Sequence, residues 1–80
     1  MVFEFRYHKA AEKFLDTQSV NSRKRIMGAI NALPNGDVKK LVGCDGYRLR
    51  VGQYRVVFDI DYKLNVIDVM SIDSRGQIYK

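Results

Sequence analysis

Arg48, Arg50, Arg55, Arg75 and Tyr79 are the side chains whose types and spacing could do chemistry together in this chain. A guanidinium is planar, meets phosphate oxygens with paired N–H donors and stays protonated. Arginines gathered on one face therefore make a seat for a phosphate, and they push a nearby phenol towards its ionised form. Three of them fall in the stretch Gly46–Asp61, where apolar and basic residues alternate on both sides of Gly52-Gln53. Two alternating runs split by a Gly-led pair predict a hairpin closed by a type II′ turn. With Gly52 and Gln53 in the turn, Val51 faces Tyr54, Arg50 faces Arg55 and Leu49 faces Val56. Side chains alternate across a strand, so one face carries Tyr47, Leu49, Val51, Tyr54, Val56, Phe58 and Ile60. The other carries Arg48, Arg50 and Arg55. Two arginines directly opposite one another repel unless something anionic sits with them.

The elements that must hold this hairpin follow from periodicity. Val2–Tyr7 alternates and reads as a short strand with Phe3, Phe5 and Tyr7 on one face. From His8 the spacing becomes helical, with Ala11, Phe14 and Leu15 on one side and Lys9, Glu12, Lys13 and Asp16 on the other. Thr17-Gln18-Ser19 breaks this helix, and Ser19 suits the N-cap of a second. Ile26, Ile30 and Leu33 repeat at helical spacing, and Pro34-Asn35-Gly36 ends the run. Two helices with a short link form an antiparallel pair. Asp37–Leu41 reads as a connection with a turn of helix, and Leu64–Ile72 as a β-branched strand. In that strand Ile67 and Val69 share one face, and Val66, Asp68, Met70 and Ile72 the other.

The order is thus β-α-α-β-β-β, an α+β fold. An N-terminal strand and a two-helix hairpin pack on a mainly antiparallel, four-stranded twisted sheet. The chain makes one domain, residues 1–80. In this register the open face bears Val57, Val66, Met70 and Ile72 beside the arginines, so much apolar surface that either a partner covers it or the register differs.

Eighty residues with 46% hydrophobic and 29% charged side chains are those of a globular chain. A net charge of +5 points to a polyanionic or acidic partner. The single cysteine, Cys44, leaves no intramolecular disulfide and no cysteine metal cluster. No apolar run approaches the length that spans a bilayer, and the N-terminus lacks a signal-peptide core, so a cytoplasmic location with no membrane partner is expected. No zinc spacing, Walker loop, dinucleotide fingerprint or nucleophile elbow is present; no metal and no small-molecule cofactor are expected. His8 reads as a residue at a helix start, Asp59 and Asp61 as salt-bridged or solvated, and Arg23-Lys24-Arg25 as the solvated side of the second helix. Tyr47, Tyr54, Phe58 and Tyr62 are expected to offer aromatic surface near the arginines, on which single-stranded RNA bases could stack. These features describe a basic protein that binds a phosphodiester, and they fit a binder as well as a nuclease.

The run Asp37-Val38-Lys39-Lys40-Leu41-Val42-Gly43, followed by Gly46-Tyr47-Arg48-Leu49-Arg50-Val51-Gly52-Gln53-Tyr54-Arg55-Val56-Val57-Phe58, resembles the RelE/ParE superfamily of toxins from toxin–antitoxin pairs. Ile72-Asp73-Ser74-Arg75-Gly76-Gln77-Ile78-Tyr79 resembles its last strand and terminal Arg–Tyr element, and the likeness runs nearly end to end. The resemblance implies a helical hairpin on an antiparallel sheet. For the RelE-like branch it implies a metal-independent endoribonuclease that cuts mRNA in the ribosomal A site and so inhibits translation. Its partners would be a cognate antitoxin, the ribosome and mRNA. By position, the resemblance makes Arg48, Arg50 and Arg55 the RNA phosphate-binding residues, and Arg55, Arg75 and Tyr79 the catalytic ones. The implied chemistry is attack of a ribose 2′-hydroxyl on the adjacent phosphate, leaving a 2′,3′-cyclic phosphate. A DNA gyrase inhibitor of the ParE kind and a non-catalytic RNA- or partner-binding homologue are the other readings, since one scaffold hosts several functions. Relatives commonly carry Gly-His or a basic residue before the terminal arginine, whereas Asp73-Ser74 stand here, and an aspartate on the phosphate side would weaken anion binding.

Overall fold

The computed structural model of the chain describes residues 2–74. Its elements in order are β1 (Glu4–Tyr7), α1 (Lys9–Asp16), α2 (Val20–Asn31), β2 (Asp37–Lys40), β3 (Tyr47–Val51), β4 (Tyr54–Asp61) and β5 (Val66–Ser74). They form one five-stranded sheet in the order β1-β5-β4-β3-β2 with both helices on one side. β2, β3, β4 and β5 pair antiparallel in succession, whereas β1 lies parallel to β5.

The helix ends follow from their caps. Ser19 Oγ accepts a hydrogen bond from the Ser22 N–H at 3.2 Å, satisfying one of the free donors at the start of α2. α2 stops at Asn31, with Ala32 as its C-cap, two residues before the expected end at Leu33. Arg23 clamps the link between the helices: its Nε donates to the Leu15 carbonyl and its Nη2 to that of Gln18, each at 3.2 Å. α1 packs chiefly on β5 and α2 on β3.

The apolar stripes predicted from periodicity form the core. Ala11 and Leu15 of α1 and Ile26, Ile30 and Leu33 of α2 and its end are buried against Leu49, Val51, Val56, Phe58, Ile67, Val69 and Ile72 of the sheet. The hairpin turn has the expected hand, with Gly52 at φ +60° and Gln53 at negative φ, the type II′ pattern.

Two expectations are corrected. Asp37–Lys40 is a strand and not a turn of helix, which raises the sheet from four strands to five. A lone apolar residue, Val38, between polar neighbours carries too weak a local pattern to announce a strand. The free edge of β3 supplies the partner, and Val38 sits opposite Leu49 on the core side. The second correction is a β-bulge. Val57 pairs with Ser71 but Phe58 pairs with Val69, so Met70 is an extra residue in β5. The extra residue reverses the alternation beyond it, and Ile72 joins Ile67 and Val69 in the core at 3% exposure. Met70 itself stays out, at 41%. Val66 is buried as well, at 3% exposure. The apolar open face expected from a regular strand is therefore largely absent.

Candidate phosphate-binding face

The register places the basic residues of β2, β3 and β4 in two transverse rows on the face away from the helices. The first row crosses the strands as Asp37–Arg50–Arg55–Asp73, and the second as Lys39–Arg48–Val57–Ser71. Directly opposed residues have Cβ atoms about 5 Å apart, so each row is a set of near neighbours. Arg50 faces Arg55 as the alternation predicted, and Arg48 shares their face. Arg48 and Arg55 are half-buried, and Arg50 and Lys39 are exposed. Arg75 and Tyr79 lie outside the described residues.

The anionic counterpart to the arginine pair comes from both flanks. Asp37 stands opposite Arg50, and Asp73 opposite Arg55. Asp73 thus shares the arginine face, the arrangement in which it opposes anion binding. Neither carboxylate closes an ion pair: among the described residues the salt bridges are Arg6–Glu4 at 3.4 Å and His8–Asp68 at 3.7 Å. Among the described residues no acceptor takes the donors of Arg48, Arg50 or Arg55, and the two aspartates stand across from the arginine pair.

Further along the sheet the charge changes sign. Asp59 pairs with Asp68, and Asp61 and Glu4 flank Val66, with Arg6 beside Asp68. The open face carries its cations between the hairpin turn and the middle of β3 and β4, and is acidic towards the β4–β5 turn. At that turn Asp61 Oδ1 accepts from the backbone N–H groups of Lys63 and Leu64, at 3.0 and 3.1 Å. Asp59 and Asp61 are exposed, as the solvated reading expected, and each also caps local backbone, Asp59 Oδ1 accepting from the Ile60 N–H.

The aromatic residues are placed differently from the expectation. Tyr47 stacks on Phe58 in the core, ring centroids 5.6 Å apart and 22° between planes. Tyr54 meets Phe14 of α1 edge to face at 6.0 Å, and Tyr62 meets Phe3 at 6.3 Å. None of the four lies on the arginine rows, because Tyr47, Tyr54 and Phe58 belong to the helix-facing alternation and Tyr62 to the distant turn. Apolar surface beside the arginines comes from Val57 and Met70 instead.

The hydroxyl of Tyr54 donates to Gln18 Oε1 at 3.2 Å, with Ser22 Oγ 3.4 Å away. Hydrogen bonds from Ser22 and Gln53, helped by the charge of Arg25 and opposed by burial, hold its phenol below the ordinary value. Arg25 lies over the hairpin turn, its guanidinium 3.6 Å from where a Cβ on Gly52 would stand. Of Arg23-Lys24-Arg25, then, Arg23 is structural, whereas Lys24 and Arg25 stay exposed as expected. The sequence reading missed Lys39, whose place beside Arg48 depends on β2 being a strand. The weak signal available was the alternation of Asp37 and Lys39 about Val38.

A helical pair on one side of a five-stranded sheet, with the arginines of a hairpin on the other, defines a small α+β protein with cations on its open face. No family model matches the sequence, and no curated protein matches it. Solved structures do. A chain of the archaeal RelE–RelB complex of Pyrococcus horikoshii shares 29% identity, over 96% of this chain and 99% of that one, with a TM-score of 0.78. A chain of the RelB–RelE antitoxin–toxin complex of Methanococcus jannaschii shares 27% identity, over 92% and 94%, with a TM-score of 0.74. The isolated RelE toxin of E. coli shares 19%, over 91% and 84%, at 0.68. The chain has the RelE-like toxin fold.

Proposed function

We propose that this chain is the toxin of a toxin–antitoxin pair and acts as a ribosome-dependent endoribonuclease. The observation that carries this reading is the gathering of Arg48, Arg50 and Arg55 on the open face of a RelE-like sheet. The arginines hold the scissile phosphate and stabilise the charge that grows on its oxygens, where fixed cations are worth several kcal/mol. Tyr79, as phenolate, takes the proton of the ribose 2′-hydroxyl. The 2′-oxygen then bonds to phosphorus while the bond to the 5′-oxygen breaks, and that oxygen leaves with a proton from Arg75 or from water. The products are a 2′,3′-cyclic phosphate and a 5′-hydroxyl. A free phenol is only about 0.1% ionised at neutral pH, so the arginine neighbours are needed to favour the phenolate. A cognate antitoxin is the expected protein partner, as RelB is of RelE in the similar complexes.

The test is cleavage of mRNA on programmed ribosomes, with Arg55→Ala and Tyr79→Phe beside the parent chain. Each variant is expected to lose on the order of a hundredfold in single-turnover rate. Parent-like rates in both would sink the reading, and replication arrest with DNA breaks on induction would replace it with a gyrase poison.

A further inference from the structure

We infer that the basic face holds two successive phosphates of a single-stranded RNA, and that Lys39 joins Arg48 to form the second seat. This deepens the proposed function and rests on it for the identity of the ligand. The two rows differ in charge. In the first, the arginine pair is bracketed by Asp37 and Asp73, so its charges cancel across the four strands. In the second, Lys39 and Arg48 face one another with Val57 and Ser71 completing the row and no carboxylate in it. The next row on that side, Asp59–Asp68, is acidic. Among the described residues, the uncompensated positive charge of this face is therefore centred on Lys39 and Arg48, one row away from the Arg50–Arg55 pair.

Spacing supports a second phosphate beside the scissile one, with Arg48 serving both. Rows two residues apart along a strand are separated by about 6.7 Å, comparable to the distance between successive phosphates of an extended nucleotide strand. Arg48 is half-buried and so partly desolvated, which strengthens its pull on an anion, while exposed Lys39 can reach over it as a mobile point charge. Ser71 supplies a neutral hydroxyl donor at the far end of the same row. Val57 and Met70 offer apolar surface next to it, suited to a ribose or a base edge. The acidic rows beyond turn the strand away, which limits contact to a short stretch of RNA. An extended acidic peptide presents alternate carboxylates at a similar spacing, so the choice of RNA rests on the proposed function and competition with a polyanionic peptide tests it.

The experiment measures binding of a uridine hexanucleotide across a salt series by the intact protein. Variants are Lys39→Gln, Arg48→Gln and, as a control at the opposite end of the sheet, Lys63→Gln. Removing one phosphate contact lowers the slope of log affinity against log salt by about 0.7 for a single strand. Lys39→Gln and Arg48→Gln are each expected to show that drop together with several-fold weaker binding at low salt, while Lys63→Gln keeps the parent slope. A parent slope in Lys39→Gln, or no binding of the hexanucleotide by the parent chain at low salt, would overturn the inference. So would equal displacement by a polyglutamate of the same charge. Binding is read apart from cleavage: loss of the slope in Lys39→Gln with no ribosomal cleavage by the parent removes the nuclease reading alone, whereas cleavage with an unchanged slope removes the second seat alone.

Discussion

Asp73 of β5 stands directly opposite Arg55 of β4, on the same face of the sheet, without forming an ion pair with it. The carboxylate faces the guanidinium across the strands without consuming its donors. On the other flank Asp37 stands in the same relation to Arg50. The repulsion built into the Arg50–Arg55 pair is thus relieved within the protein, and an incoming phosphate competes with two aspartates for the row.

Asp73→Asn should accordingly strengthen binding of a single-stranded oligonucleotide. Two unit charges about 6 Å apart interact by roughly 0.7 kcal/mol even at the dielectric of water, so the gain should be about threefold or more. Stability should change by less than about 0.5 kcal/mol, as for surface changes that break no specific contact. Oligonucleotide titration at low salt and urea unfolding check both halves. Weaker binding by the variant would mean that Asp73 itself touches the RNA.

The bulge at Met70 separates two neighbouring apolar residues by environment. Ile72→Ala should cost on the order of 2–5 kcal/mol, because Ile72 is buried against β4 and the helices. Met70→Ala should cost less than about 1 kcal/mol. A regular strand would put both on one face and predict similar losses. Chemical denaturation of the two variants decides between these patterns.

The buried Tyr7 hydroxyl has no hydrogen-bond partner among the described residues. A buried orphan of this kind costs about 1–3 kcal/mol, so Tyr7→Phe should leave stability unchanged or raise it by on the order of 1 kcal/mol. Burial also raises the Tyr7 pKa. The folded state then holds this proton more tightly than the unfolded chain. Its contribution to stability is present below the ordinary tyrosine value of about 10 and is lost as pH rises through the raised folded value. Tyr7→Phe should flatten that alkaline decline, measured as urea midpoints across the alkaline range.

Tyr54 carries the opposite sign. Its pKa is lowered, first by hydrogen bonding from Ser22, so its contribution is present above about 10 and is lost as pH falls through the lower folded value. At neutral pH the group matters through its hydrogen bond to Gln18, which ties β4 to the link between the helices. Tyr54→Phe should lower the unfolding midpoint at pH 7 modestly, through loss of that hydrogen bond, with oligonucleotide binding intact, since the ring faces the helices and not the arginine rows.

The hairpin was legible in the residues because its information is local. A period of two assigns Arg48, Arg50 and Arg55 to one face, and a two-residue Gly-led turn sets which residues oppose which, so Arg50 had to meet Arg55. The helices were legible for the same reason, from the spacing of Ile26, Ile30 and Leu33 and the cap at Ser19. The arginine row therefore exists at the level of sequence, within a stretch of sixteen positions from Gly46 to Asp61.

What surrounds that row was decided only by the tertiary structure. β2 owes its form to the edge of β3, and Lys39 reaches Arg48 only through that pairing. The bulge at Met70 shows itself only when β5 is laid against β4, because an extra residue changes the register of two strands and not the pattern of one. Through it, Ile72 turns into the core and Asp73 comes to face Arg55. Alternation determines which side chains share a face of their own strand; which charges become neighbours across strands depends on register, and register is a property of the assembled sheet.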